Sequence, residues 1–109
     1  MTGRILRGAV SIFLLFAVFL LFMPTAQGDA AADYKSKCAS CHGADGTGNS
    51  PTGKALKVKD LASADVQGKT DAQLHDDIAN GVGKMKGFKD KLKDSQINDL
   101  VKFVRGLKK

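Results

Sequence analysis

Two thiols and an imidazole are concentrated in five residues, Cys38-Ala39-Ser40-Cys41-His42. In a helical backbone, two intervening residues place the sulfurs about one turn apart. That spacing matches the separation of the two vinyl groups of a haem, to which thiols add as thioethers. The imidazole directly after the second thiol then lies under the iron and can donate a nitrogen. The pattern is that of c-type haem attachment, and it implies one covalently bound haem c. Two other chemistries use the same residue types. A thioredoxin-like redox pair also has two residues between its thiols, but it expects a βαβ context, and no strand pattern stands out here. A zinc site needs about four ligands; beyond Cys38, Cys41 and His42 only His75 is left, with no second clustered pair. A disulfide between Cys38 and Cys41 would close a tiny loop and constrain little of the chain.

A haem held by His42 has a second axial position, and Met85 is the candidate for it. A lone Met is usually core filler. Filler belongs on an apolar stripe, however, and Lys84-Met85-Lys86 between Gly83 and Gly87 is not one. The glycines allow the backbone to pass close to a flat ring. His75 is the alternative ligand. Beside Asp76 and Asp77 and off the Leu74/Ile78 face, it reads as a solvent-exposed histidine.

The elements that must position these groups are preceded by a segment of another kind. Arg4 and Arg7 give a positive start, and Ala9 to Met23 form a run of fifteen residues in which only Ser11 is polar. Pro24 ends the run, and Ala26 and Gly28 are small residues spaced for processing. This is the layout of a secretory signal peptide over residues 1–28, with the functional domain at 29–109. A retained anchor is the rival reading; a spanning helix needs about 20 apolar residues, more than the run supplies. Within 29–109, fifteen Lys and Arg face eleven acids, all Asp, for a net charge of +4. Moderate positive charge suits an acidic protein partner or transient contact with an anionic membrane surface. Nucleic acid is not expected, since no recognition motif is present. A domain this small buries a limited core, and a large apolar cofactor would supplement it.

Three helices are expected, joined by long loops, in an all-α class. The first spans roughly Ala31 to Ala39 and leads into the Cys pair. Gly43, Gly46, Gly48, Pro51 and Gly53 forbid a long helix after it, and a short turn is expected between Ala55 and Ala64, packing Leu56, Val58 and Leu61. The middle helix runs from Asp71 to Asn80, with Thr70 and Gln73 forming a capping box and Gly81 stopping it. The last carries Ile97, Leu100, Val101, Val104 and Leu107 as one apolar stripe, capped by Asp94 or Ser95. The stripe is expected to bury against the first helix, with Tyr34 near Phe103. Phe88 is expected in the core.

In this ordered set the chain resembles the small class I c-type cytochromes over nearly all of residues 29–109. Tyr34 four residues before Cys38, the Cys38–Gly43 motif, Asp45-Gly46-Thr47-Gly48, Pro51, the Asn80-Gly81, Lys84-Met85 and Phe88 run and the Ile97–Arg105 helix carry the likeness. The resemblance implies a cytochrome c-like fold wrapped round one haem, with His42 and Met85 as axial ligands. It also implies a Pro51 carbonyl that accepts the His42 Nδ1–H bond. Where the family often has Pro after the axial Met, this chain has Lys86. The function implied is one-electron transfer between redox proteins rather than enzymatic catalysis. A monomer is expected, in the periplasm or on the outer face of the cytoplasmic membrane. The alternative is a haem protein with a labile distal ligand, acting as a small-ligand sensor or peroxidase-like enzyme. Lys84, Lys86, Lys89, Lys91 and Lys93 read either as a docking surface for an acidic partner or as a solvated face.

Overall fold

The structure, a computed structural model, describes residues 26–108, with side chains from Asp29 onward. Almost all of the expected signal segment, and its apolar run, therefore lies outside the described residues. Among the described residues there are six helices and one hairpin: α1 (Ala26–Lys37), α2 (Ala39–His42), α3 (Pro51–Leu56), α4 (Ala64–Gln67), α5 (Asp71–Asn80), β1 (Gly81–Val82), β2 (Met85–Lys86) and α6 (Asp94–Gly106). None of the described helices is long and apolar enough to cross a membrane.

The apolar stripe of α6 decides the packing. Ile97, Leu100, Val101 and Val104 are buried, and the most extensive helix interface joins α6 to α1. Tyr34 and Phe103 meet there with ring centroids 4.6 Å apart and planes tilted by 31°. On one side of the stripe Tyr34, Ala79, Phe88, Leu92, Ile97 and Leu100 form one cluster. On the other, Val66, Leu74, Val101 and Val104 form a second. Leu61 and Ile78 pack against both.

The middle helix forms as its sequence dictates. The Thr70 hydroxyl accepts the Gln73 N–H at 3.1 Å, and the Gln73 side chain accepts the Thr70 N–H at 2.9 Å. Three expectations need correction. First, α1 covers Ala26–Lys37 rather than 31–39, because the helix breaks at Cys38 (φ −115°, ψ −36°), which begins the separate turn α2. Second, α6 is capped by Lys93, not by Asp94 or Ser95: the Lys93 N–H donates to Gln96 Oε1 at 2.8 Å. Third, the chain is not wholly without strand. β1 and β2 pair antiparallel, Gly81 opposite Lys86 and Val82 opposite Met85. A two-residue strand is too short to show a period of two in the sequence. The expected turn between Ala55 and Ala64 follows a short helix, α3. Ser50 caps it and Pro51 sits where its fixed φ suits a first turn.

Release of Asp94 from capping lets it bind elsewhere. Its carboxylate meets His75 Nε2 at 2.6 Å, while Asp76 meets His75 Nδ1 at 3.2 Å. His75 is thus a half-buried clasp between α5 and α6, not a free surface histidine. A second clasp fixes the other end of α6. Arg105 donates to Asp71 Oδ1 at 2.9 Å, to the Gln67 carbonyl at 2.8 Å and to the Lys69 carbonyl.

The His75 clasp predicts a pH dependence. Its hydrogen bonds to Asp76 and Asp94 raise its pKa above the ordinary value, about 6.5 when unfolded. The protonated clasp therefore contributes stability fully below the unfolded value and loses it as pH rises through the folded one. Denaturant midpoints of wild type and His75→Gln should differ more at acidic than at alkaline pH. A difference independent of pH would show that the charge on His75 is not what holds the helices.

Candidate functional site

The turn α2 is held from three sides. The Tyr34 hydroxyl, on α1, donates to the Gly43 carbonyl at 2.6 Å, just past the end of α2. Burial pushes the Tyr34 pKa up to about 12, with Cys38 and Asp45 adding to the effect, so the phenol remains a donor. The Gly48 N–H donates to the His42 carbonyl at 2.7 Å, folding the loop back under the turn. The Ser50 hydroxyl lies 2.9 Å from the Ser40 carbonyl and 3.0 Å from that of Cys41, and it accepts the Gly53 N–H at 2.9 Å. One side chain thus caps α3 and ties it to the end of α2. The approach is close enough to require glycine: a Cβ on Gly53 would lie 2.2 Å from the Cys41 carbonyl oxygen and 2.4 Å from that of Gly48.

The hairpin carries Met85 at half-burial. Gly81 (φ 84°) allows the turn out of α5, and a Cβ there would lie 2.5 Å from the Met85 carbonyl oxygen. The chain leaving the hairpin returns to α5: Phe88 N–H donates to the Ile78 carbonyl at 2.9 Å and Lys89 N–H to that of Ala79 at 3.1 Å. These bonds satisfy carbonyls that the end of α5 would otherwise leave open.

Cys38, Cys41, His42 and Met85 all line one cleft of about 790 Å³, a size usual for cofactor sites of roughly 300–1,000 Å³. Leu56, Val58, Leu61, Val66, Val82 and Phe88 supply apolar walls. Leu56 and Val82, 39% and 50% exposed, are the large hydrophobic residues left open to solvent among those described, and both are on this cleft. A large flat apolar group seated between α2 and the hairpin would cover them. The residues present therefore fit a haem, with Cys38 and Cys41 available for its vinyl groups and His42 and Met85 for its iron.

The Cys38 thiol does not suit redox exchange. Both cysteines are unpaired. Burial pushes Cys38 up to about 11, with Asp33 raising and Lys37 partly lowering it, whereas an attacking thiol needs a depressed value. Burial shifts His42 down, favouring the neutral imidazole that a metal requires. His75 does not line the cleft, so the alternative ligand is held away from Met85's position. His42 Nδ1 is buried with no hydrogen-bond partner among the described residues. The expected bond to the Pro51 carbonyl is absent; Pro51 opens α3 and is exposed.

The lysine expectation is partly redrawn. Lys84, Lys86 and Lys91 line the cleft, but Lys89 and Lys93 do not. Lys37, Lys57, Lys59 and Lys69 join them from elsewhere in the sequence, and no Asp lines the cleft. Sequence reasoning misses those four because no linear cluster announces them. It misses Ser50 too, although a Ser before Pro at a helix start is a readable capping signal.

Substituting Gly53→Ala should force α3 away from α2, destabilising the fold by about 1–3 kcal/mol and lowering the fraction of chain that acquires covalent haem. Denaturant unfolding and haem staining of a denaturing gel would check both. Unchanged stability and attachment would mean that α3 does not set the geometry of the cysteine turn.

Comparison with known proteins agrees with this geometry. Residues 25–104 match the family described as cytochrome c oxidase, cbb3-type, subunit III. Among solved structures, the KustC0563 c-type cytochrome is 33% identical, with a TM-score of 0.67, over 73% of this chain and 98% of that one. Among curated proteins none matches.

Proposed function

The chain belongs to the small monohaem c-type cytochromes and carries one covalently bound haem c, and from that premise we propose that it is an exported one-electron carrier between redox proteins. The observation that carries the reading is that Cys38, Cys41 and His42 from one part of the chain and Met85 from another line a single cleft with apolar walls. When bound, the haem supplies ferric–ferrous chemistry. His42 and Met85 would hold its iron. With both bound, the iron would have no ligand position left for a substrate, which favours electron exchange over catalysis. The soft thioether of Met85 favours the ferrous state relative to harder ligands and raises the potential. The bonds from Phe88 and Lys89 back to α5 hold the hairpin, which limits rearrangement when the charge on the metal changes.

Export follows from the haem itself, because c-type attachment is made outside the cytoplasm, and from the signal-like residues 1–28. The protein then works as a monomer in the periplasm or at the outer membrane face. Its partner presents an acidic surface, since seven lysines and no Asp line the cleft. Lys84, Lys86 and Lys91 have no acidic partner among the described residues, whereas Lys37, Lys59 and Lys69 approach Asp33, Asp65 and Asp77 at 3.9, 3.5 and 2.6 Å. The free charge of the cleft therefore lies on Lys84, Lys86 and Lys91 and on Lys57, and Lys86 Nζ also lies 5.8 Å from the Phe88 ring centroid.

Met85→Ala should lower the reduction potential and open the iron to cyanide or imidazole, while covalent haem remains. Binding of cyanide by the wild type as readily as by the variant would favour the sensor or peroxidase-like reading. A wild-type spectrum and potential in the variant would remove Met85 from the ligand set.

Charge-neutral changes at Lys84, Lys86 and Lys91 should slow electron transfer with an acidic redox protein at low salt. They should matter little at high salt, where screening shortens to about 3 Å at 1 M. Equal slowing at every ionic strength would indicate lost structure instead of lost steering.

A further inference from the structure

Lys57 is the one described residue other than glycine with positive φ, at φ 56° and ψ 47°. It ends α3, and its N–H reaches back to the Gly53 and Lys54 carbonyls. A helix end of this form is usually closed by glycine, which adopts the left-handed region without a steric cost. The backbone alone therefore calls for glycine at this position. What lysine adds is a side chain, and that side chain lines the cleft. Strained backbone of this kind collects at functional sites, where the side chain is needed for something other than the fold.

The charges round Lys57 narrow its use. Three of the other cleft lysines approach an acid: Lys37 Asp33, Lys59 Asp65 and Lys69 Asp77. Lys57 has no acidic partner among the described residues, and no Asp lines the cleft. A haem brings two propionate carboxylates, on the edge of the ring away from its vinyl groups. Those carboxylates need countercharge in a cleft whose protein lining supplies only cations. Leu56, beside Lys57 at the end of α3, is 39% exposed on the same cleft. The pair offers an apolar contact for the ring and an ammonium for its acidic edge.

We propose that Lys57 is a positioning residue for the haem, its ammonium pairing with a propionate carboxylate, and that its left-handed backbone is kept for that side chain. This rests on the haem occupying the cleft, so every comparison is made on purified holoprotein. The experiment measures the reduction potential against pH, and the denaturant midpoint, for wild type, Lys57→Gly, Lys57→Gln and Lys57→Arg. Loss of a cation near the iron favours the ferric state. The potential should shift down in the Gly and Gln variants and stay near wild type in the Arg variant. The propionate-linked step in the pH profile should move to higher pH in the first two, because their carboxylate has lost its partner. The Gly variant should unfold at higher denaturant than the Gln variant, since it relieves the left-handed strain. An unchanged potential and pH step in both neutral variants would overturn the proposal. If those variants also lost rate at low salt with an acidic protein, Lys57 would instead belong to the docking surface. Failure of the haem reading would look different: the wild-type chain would carry no covalent haem at all.

Discussion

Cys38, Cys41 and His42 lie within little more than one helical turn, so they can reach only one edge and one face of a flat group. Everything else that such a group needs must come from other parts of the chain. The fold meets this with two devices that border one cleft. Ser50 and Gly53 press α3 onto the carbonyl ends of α2. The hairpin brings Met85 in from the end of α5. Behind both, α6 supplies the buried stripe on which α1 and α5 rest. The chain's own core divides into two small clusters, and the apolar walls of the cleft stay partly open. A protein of this size buries too little surface to be generous with exposed Leu and Val, so the open walls are themselves a sign of the cofactor that covers them.

Charge is distributed on the same plan. Acids take structural tasks away from the cleft: Asp94 and Asp76 hold His75, Asp71 holds Arg105, and Asp77 holds Lys69. The cleft is left with lysines alone. The arrangement separates the two jobs that charge can do in a small protein. Hydrogen-bonded pairs between helices fix orientation, while unpaired ammonium groups at the rim act on whatever approaches.

Much of this is legible in the residues. The pattern of Cys38, Cys41 and His42 needs only local spacing, and the α6 stripe and the Thr70–Gln73 capping box each repeat within a turn or two. These are interactions whose partners are near in sequence, and they appear where expected. The contact of Tyr34 with Phe103 is also readable, since two apolar faces in a short chain have few other places to bury. The misreadings share the opposite property. His75 reads as exposed because its decisive partner, Asp94, is nineteen residues away. Asp94 reads as a cap because it stands just before the apolar stripe of α6, where an acidic residue is a usual cap. The cleft lysines at 37, 57, 59 and 69 are scattered in sequence and meet only in the folded cleft. The Lys57 backbone leaves no local mark, because Leu-Lys-Val-Lys carries no turn signal.

The hairpin gives a physical sense to the one departure from the family pattern. A proline in place of Lys86 would fix φ on the Met85 side of the cleft. It would also remove an N–H from a strand of only two residues, in which Lys86 is the register partner of Gly81. With lysine there, the segment is held by the pairing of β2 with β1 instead of by a ring. The returning bonds from Phe88 and Lys89 to the Ile78 and Ala79 carbonyls extend the same restraint onto α5. The His75 clasp then ties α5 to α6, and the α6 stripe ties both to the core. The rigidity that a single proline supplies locally elsewhere is here drawn from a chain of backbone and side-chain contacts. The position of Met85 is therefore coupled to the packing of the helices more closely than a stiffened loop would require.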